Sequence, residues 1–275
     1  RNVRFINFKN SIKKNLINKK IKNVKIENFI IKYPLLKSFT KNYKSSYSQK
    51  DVKKLKKFKN FNLIGMGGSI LGTEAIYQFL RKKAKKNFEF TNNLRPKLNH
   101  TKNSLNIIIS KSGETLETIS NFHVLQKYKK NTQNLFISEN KNSYLRQIAQ
   151  NLKSEIFEHK NFIGGRYSVL SEVGMLPAEL MGFNPKKFRQ YDNLIKNKNF
   201  LKNLILNVET SIRLIKKGYT NSIILNYDEE AENLFKWYQQ LIAESLGKKS
   251  KGLLPVISTM PKDNHSLLQL YLDGP

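Results

Sequence analysis

Two rhythms of apolar positions alternate along this chain. Short, nearly continuous apolar runs rich in Ile and Phe stand at FNLIG (61–65), FEF (88–90), LNIII (105–109), NLFIS (134–138) and EIF (155–157). Runs of that length, bounded by polar residues, read as strands covered on both faces. Between most of them the spacing turns helical. TEAIYQFLRKKAKK (73–86) puts Ala75, Ile76, Phe79 and Leu80 on one face, and TLETISNFHVLQKYKK (115–130) and NSYLRQIAQNL (142–152) carry the same period. Strands alternating with helices predict βαβ units and a parallel sheet flanked by helices, an α/β fold.

The pattern restarts after residue 160. GGRYSVLSEVGMLPAELMGF (164–183) predicts a helix, a basic stretch follows, and SIILNY (222–227) and LLPVIS (253–258) predict two strands. Between those strands EEAENLFKWYQQLIAESLGKK (229–249) predicts a long helix with Leu234, Tyr238, Leu241, Ile242 and Ser245 on one face. One helix and two strands do not cover a parallel sheet, so this second domain is expected to be incomplete at its C-terminal end and to expose apolar surface. A first residue that is not Met supports the same expectation of a fragment. The expected division is a basic helical segment over 1–58, a first domain over 59–160 and a second over 161–275.

Composition narrows the chemistry. The 275 residues contain no Cys, which removes disulfides, thiolate metal sites and a thiol nucleophile. No apolar run approaches the length of a membrane span, and the first residues lack a signal-peptide core, so a cytoplasmic location is expected. A formal charge of +30 suits a nucleic-acid binder, which would show steeply salt-dependent DNA affinity. The lysines, however, are spread along the chain among many Asn and Ile, as in KKNLINKKIKNVKIENFIIKY (13–33). That distribution reads as A/T-rich codon usage, and no specific nucleic-acid partner is expected. No set of His and carboxylates has metal-ligand spacing, so no metal and no cofactor are expected.

Two strand ends carry chemistry. SKSGET (110–115) lies where a predicted strand gives way to a helix, and there backbone N–H groups and the helix dipole favour an anion. Ser110, Ser112 and Thr115 add hydroxyls, and Gly113 admits close approach; Lys111 and Glu114 complete the loop. The same residues also serve as ordinary helix caps, with Glu114 or Glu117 closing a capping box. The spacing is not that of a Walker loop. A second glycine-rich turn, GMGGS (65–69), leaves the neighbouring predicted strand, so Gly68 and Ser69 face the same crevice.

In order along the chain, GMGGSILG, SKSGETLET, GGRYSVLSEVGMLP, WYQQLIAESLGK and KDNHSLLQLYLDGP resemble the successive signature segments of the glucose-6-phosphate isomerase family. The resemblance covers about residues 61–275. It implies two sugar-isomerase (SIS) domains, a homodimer when full length, no cofactor, and interconversion of glucose 6-phosphate and fructose 6-phosphate through an enediolate. By the same resemblance Glu244 is the proton-transfer base, Arg166 the enediolate stabiliser, His265 the ring-opening acid/base and Gln240 a substrate ligand. Chemistry agrees with these types: a carboxylate base, a permanently charged guanidinium and an imidazole near neutrality suit such a reaction. His100, His123 and His159 receive no role. Met66 replaces the family's usual Ile and Asn264 its frequent Gln, neither a reacting group. A C-terminal lysine of the family has no counterpart in these residues. The alternative from another class is a non-catalytic sugar-phosphate-binding SIS protein.

Overall fold

The computed structural model describes residues 32–96, 103–128 and 133–274. Five strands form the first sheet: β1 (Asn60–Gly65), β2 (Asn87–Thr91), β3 (Ser104–Ile109), β4 (Gln133–Ser138) and β5 (Glu155–Glu158). They run in the order β2-β1-β3-β4-β5, and every pair is parallel. The five predicted strands are therefore all present. Helices α1 (Gln49–Leu55), α2 (Leu71–Phe79), α3 (Leu116–Tyr128), α4 (Tyr144–Asn151) and α5 (Glu172–Leu180) cover the two faces.

Alternation along the strands decides which residue meets which layer. Phe61, Leu63, Leu105, Ile107, Ile109, Leu135 and Ile137 pack with Val52 and Leu55 of α1, Tyr77 of α2 and Val173, Leu176 and Leu180 of α5. Ile64, Ile108 and Phe136 turn the other way, onto Phe122 and Leu125 of α3 and Leu145 and Ala149 of α4. This core thus draws on residues before 59 and after 160 as well as those between. Helix α1 starts at a capping box, in which Ser48 Oγ accepts the Asp51 amide and the Asp51 carboxylate accepts the Ser48 amide.

One polar stripe crosses this sheet. Asn62, Asn106 and Asn134 stand in register on β1, β3 and β4. Asn62 donates to Asn106 and Asn106 donates to Asn134, each at 2.9 Å. The chain of amides satisfies groups that would otherwise be costly in an aliphatic interior.

Beyond α5 the chain runs through α6 (Pro185–Phe188), α7 (Tyr191–Lys196) and α8 (Lys198–Lys216) to a second parallel sheet of two strands, β6 (Asn221–Asn226) and β7 (Leu254–Thr259), joined through α9 (Glu232–Leu246). Helix α10 (Leu268–Asp273) follows. Two expectations change, and a third is not tested. The helix predicted over 73–86 ends at Phe79, with a 3-10 turn over Arg81–Lys83. The basic stretch before β6 holds the 19-residue α8, capped by Asn197, whose side chain accepts the Phe200 amide. The helices expected in the N-terminal segment lie, up to residue 31, outside the described residues, as does His100. Among the described residues no helix is long and apolar enough to cross a membrane.

Candidate active site

The site begins where β1 and β3 end. Gly65 and Ile109 are register partners, so the turn after β1 and the loop after β3 leave the sheet side by side. The turn Gly67–Ser69 is a single 3-10 turn, and Gly67 adopts φ +52°, which a side chain resists. Gly68 packs against a turn from much further along the chain. A Cβ there would lie 2.2 Å from the carbonyl carbon of Gly165, so only glycine allows this contact.

In the 110–115 loop the hydroxyls converge. Ser110 Oγ lies 2.9 Å from Thr115 Oγ1 and 3.5 Å from Ser112 Oγ. Ser110 Oγ also accepts the Gly113 amide at 3.1 Å, and Ser112 Oγ accepts the Glu114 amide at 3.1 Å. Gly113 has φ +70° and presses on Ser143, whose Oγ would be 2.1 Å from an added Cβ. Two residues of this loop are engaged elsewhere. Glu114 caps α4 by accepting the Tyr144 amide at 2.7 Å. Lys111 Nζ pairs with Glu139 at 3.2 Å and donates to the Asn161 carbonyl at 2.9 Å.

Against the glycine turns stands α9. Gln240 and Glu244 are one turn apart on it and share a face. Gln240 Nε2 would be 2.7 Å from a Cβ on Gly67, and it donates to Glu244 Oε2 at 3.2 Å. Gln240 Oε1 is buried without a hydrogen-bond donor in the structure. Arg166, in the 3-10 turn Gly165–Leu170, reaches Glu244 Oε1 through Nη1 at 2.7 Å. The Trp237 indole donates to the Arg166 carbonyl at 3.3 Å and ties the same turn to α9. Burial opposes the charge of Arg166, but the hydrogen bonds and charges of Tyr167 and Glu244 hold its pKa above the usual guanidinium value.

The structure therefore brings together Gly68, Ser69, Arg166, Gln240 and Glu244, beside the loop of Ser110, Ser112, Gly113 and Thr115. His265 is not in that cluster: it ends the exposed 3-10 turn Lys262–His265 after β7, and no contact between it and Arg166 or Glu244 is present among the described residues. His159 is buried, with its pKa lowered to about 4 by desolvation. Tyr167 and Ser245, both bonded to Arg166 or its neighbours, have no role in the sequence reading; the only signal is the placement of Ser245 on the inner face of the helix, next to Glu244. Among the described residues no group of His, Asp and Glu is arranged to hold a metal ion.

The chain belongs to the phosphoglucose isomerase family, whose family model matches residues 1–257. A curated relative, the glucose-6-phosphate isomerase of Methanocaldococcus jannaschii, is 36% identical over 239 residues, which are 81% of this chain and 59% of that protein. The crystal structure of a hypothetical protein from Thermus thermophilus superimposes with a TM-score of 0.70 at 26% identity, covering 82% of this chain and 60% of the other. That of a glucose-6-phosphate isomerase from Chlamydia trachomatis gives 0.68 at 19% identity, covering 88% and 56%, and shares the fold. The chain spans less than two thirds of the length of each of these proteins.

Proposed function

We propose that this protein interconverts glucose 6-phosphate and fructose 6-phosphate through an enediolate. One observation carries this reading: the Glu244 carboxylate is held by Arg166 on one oxygen and on the other by Gln240, whose side chain lies against the glycine turn at Gly67. A carboxylate next to a guanidinium is the pair that proton transfer between two carbons requires, because charge develops on the neighbouring oxygens as the proton leaves.

In this reading Glu244 takes the proton from C2 of the aldose and returns it to C1, while a hydroxyl proton moves between O1 and O2. Arg166 stabilises the enediolate. The hydroxyls of Ser110, Ser112 and Thr115, with Gly113 and the turn at Gly68 and Ser69, take the phosphate and the sugar; Lys111 and Glu114 shape the loop through Glu139 and Tyr144. The buried Oε1 of Gln240 accepts a sugar hydroxyl. His265 opens the ring, a step that needs it brought to the substrate. We assign the protein to the cytoplasm, as a homodimer of two-domain subunits divided near residue 160, with no specific nucleic-acid partner.

The test is deuterium exchange. The intact protein is incubated with fructose 6-phosphate in heavy water, and NMR follows deuterium at C1 and the appearance of glucose 6-phosphate. Glu244→Gln should lower turnover by about 10²- to 10⁴-fold, the usual share of a general base. Sugar-phosphate binding without exchange in the wild type points instead to a binding protein, and exchange that survives in Glu244→Gln removes the base from this position.

A further inference from the structure

Ser245 follows Glu244 on α9, and its hydroxyl sits where that helix meets the Arg166 turn. Ser245 Oγ accepts Arg166 Nε–H at 2.9 Å and lies 2.8 Å from the Tyr167 hydroxyl. The Arg166 guanidinium also stands 4.6 Å from the centroid of the Tyr167 ring. Three neighbours thus fix one side chain: Ser245 at Nε, Tyr167 against its plane and Glu244 at Nη1.

The geometry of the ion pair shows what that fixing achieves. A guanidinium and a carboxylate left to themselves favour the bidentate fork. Here the pair is single, Nη1 to Oε1 at 2.7 Å, and Oε2 is bonded to Gln240 instead. A second guanidinium bond would take Oε2 from Gln240 and turn the carboxylate out of its present orientation.

We propose that Ser245, backed by Tyr167, is a positioning residue that holds Arg166 to one oxygen of Glu244 and so leaves the other oxygen with Gln240. Its role rests on the isomerase reading above. Ser245 touches neither substrate nor reacting atoms in this scheme; it acts through Arg166. The Tyr167 hydroxyl orients the Ser245 hydroxyl, which leaves a lone pair of Oγ for the Arg166 Nε–H.

The test combines kinetics and NMR on the intact protein. In Ser245→Ala, kcat should fall by about 100-fold, the scale of an ångström-sized misplacement, with KM changed far less. Ser245→Thr, which keeps the hydroxyl, should restore most of the rate. Tyr167→Phe should lose less than Ser245→Ala, and the double variant should be no slower than Ser245→Ala, because both act through one contact. The Arg166 Nε–H resonance, protected in the wild type, should exchange with water in Ser245→Ala whatever the substrate.

Failures are separable. If the wild type exchanges no proton in fructose 6-phosphate, the isomerase reading falls and this role falls with it. If the wild type turns over, Glu244→Gln does not, and Ser245→Ala keeps the wild-type kcat and KM, only the positioning role is overturned. A Ser245→Ala that loses thermal stability while its kcat stays unchanged overturns that role as well.

Discussion

In β3 every residue from Ser104 to Ile109 is buried, whereas in β6 only Asn226 is, and Ile223 and Leu225 stay 38% and 44% exposed. Both belong to parallel sheets with regular ladders, so hydrogen bonding does not separate them. Cover does. The first sheet has helices on both faces, while α9, which packs on β7, contains no fully buried residue. The proposed site spans this divide. Its glycine turn and hydroxyl loop grow from the well-packed sheet, and its base stands on the lightly packed helix, joined to the first part by Arg166, Tyr167, Trp237 and Gln240. In the proposed reading, a platform built in this way would fix the phosphate end of the substrate more firmly than the reacting end.

Matched truncations give the largest effect. Phe136→Ala removes a fully buried ring between α3 and α4 and should cost about 3–5 kcal/mol in urea unfolding. Leu225→Ala in β6, already part exposed, should cost less than about 1 kcal/mol. Equal losses would show that the second sheet is packed as tightly as the first. Next comes the seam between the two regions. Gly68→Ala forces a methyl group into the Gly165 backbone and should lower isomerase turnover by about 100-fold, while unfolding of the first sheet shifts by only about 1–3 kcal/mol. Wild-type turnover in that variant would mean that the turns need not touch.

The two sheets also differ in how acid reaches them. His159, just after β5, is buried and its pKa falls from 6.5 to about 4, chiefly by desolvation. The unfolded chain therefore binds a proton that the folded chain does not, and this contribution to stability is lost as pH falls from about 6.5 toward 4. His159→Phe should flatten that part of a stability–pH curve; an unchanged slope would place the sensitivity elsewhere. The smallest effect belongs to Asp263, which accepts from Ser258 and Thr259 at the end of β7. Those bonds lower its pKa, yet the group lies in a part-exposed turn where solvent screens it, and Asp263→Asn should leave the thermal midpoint unchanged within error.

The contrast in packing also explains what is legible in the sequence. The five strands of the first sheet are readable because burial on both faces demands continuous apolar runs such as LNIII. Helix α8 is not: its Leu204, Val208 and Ile212 do recur at helical spacing, but they lie among lysines and asparagines and are all more than a third exposed. The pairing of Gln240 with Glu244 follows from i, i+4 spacing. Joining Glu244 to Arg166, 78 positions away, comes from the family resemblance, since no local pattern encodes a contact made when a turn docks on a helix. Lys111 and Glu114 look like ligands by position alone; only the fold shows them bound to Glu139, Asn161 and Tyr144.

The stripe of Asn62, Asn106 and Asn134 works as a ruler. Strands this uniformly aliphatic have little to tell one alignment from the next, since sliding β3 by two residues would still set Ile and Leu against Ile and Phe. The amides remove that freedom, because a two-residue slide would strand them against hydrocarbon, at about 1–3 kcal/mol for each unpaired group. The same slide would carry the loop at 110–115 about 6.6 Å along the strand axis, away from the turn at Gly68. Three asparagines in the middle of the sheet thereby set the distance between two loops at its end.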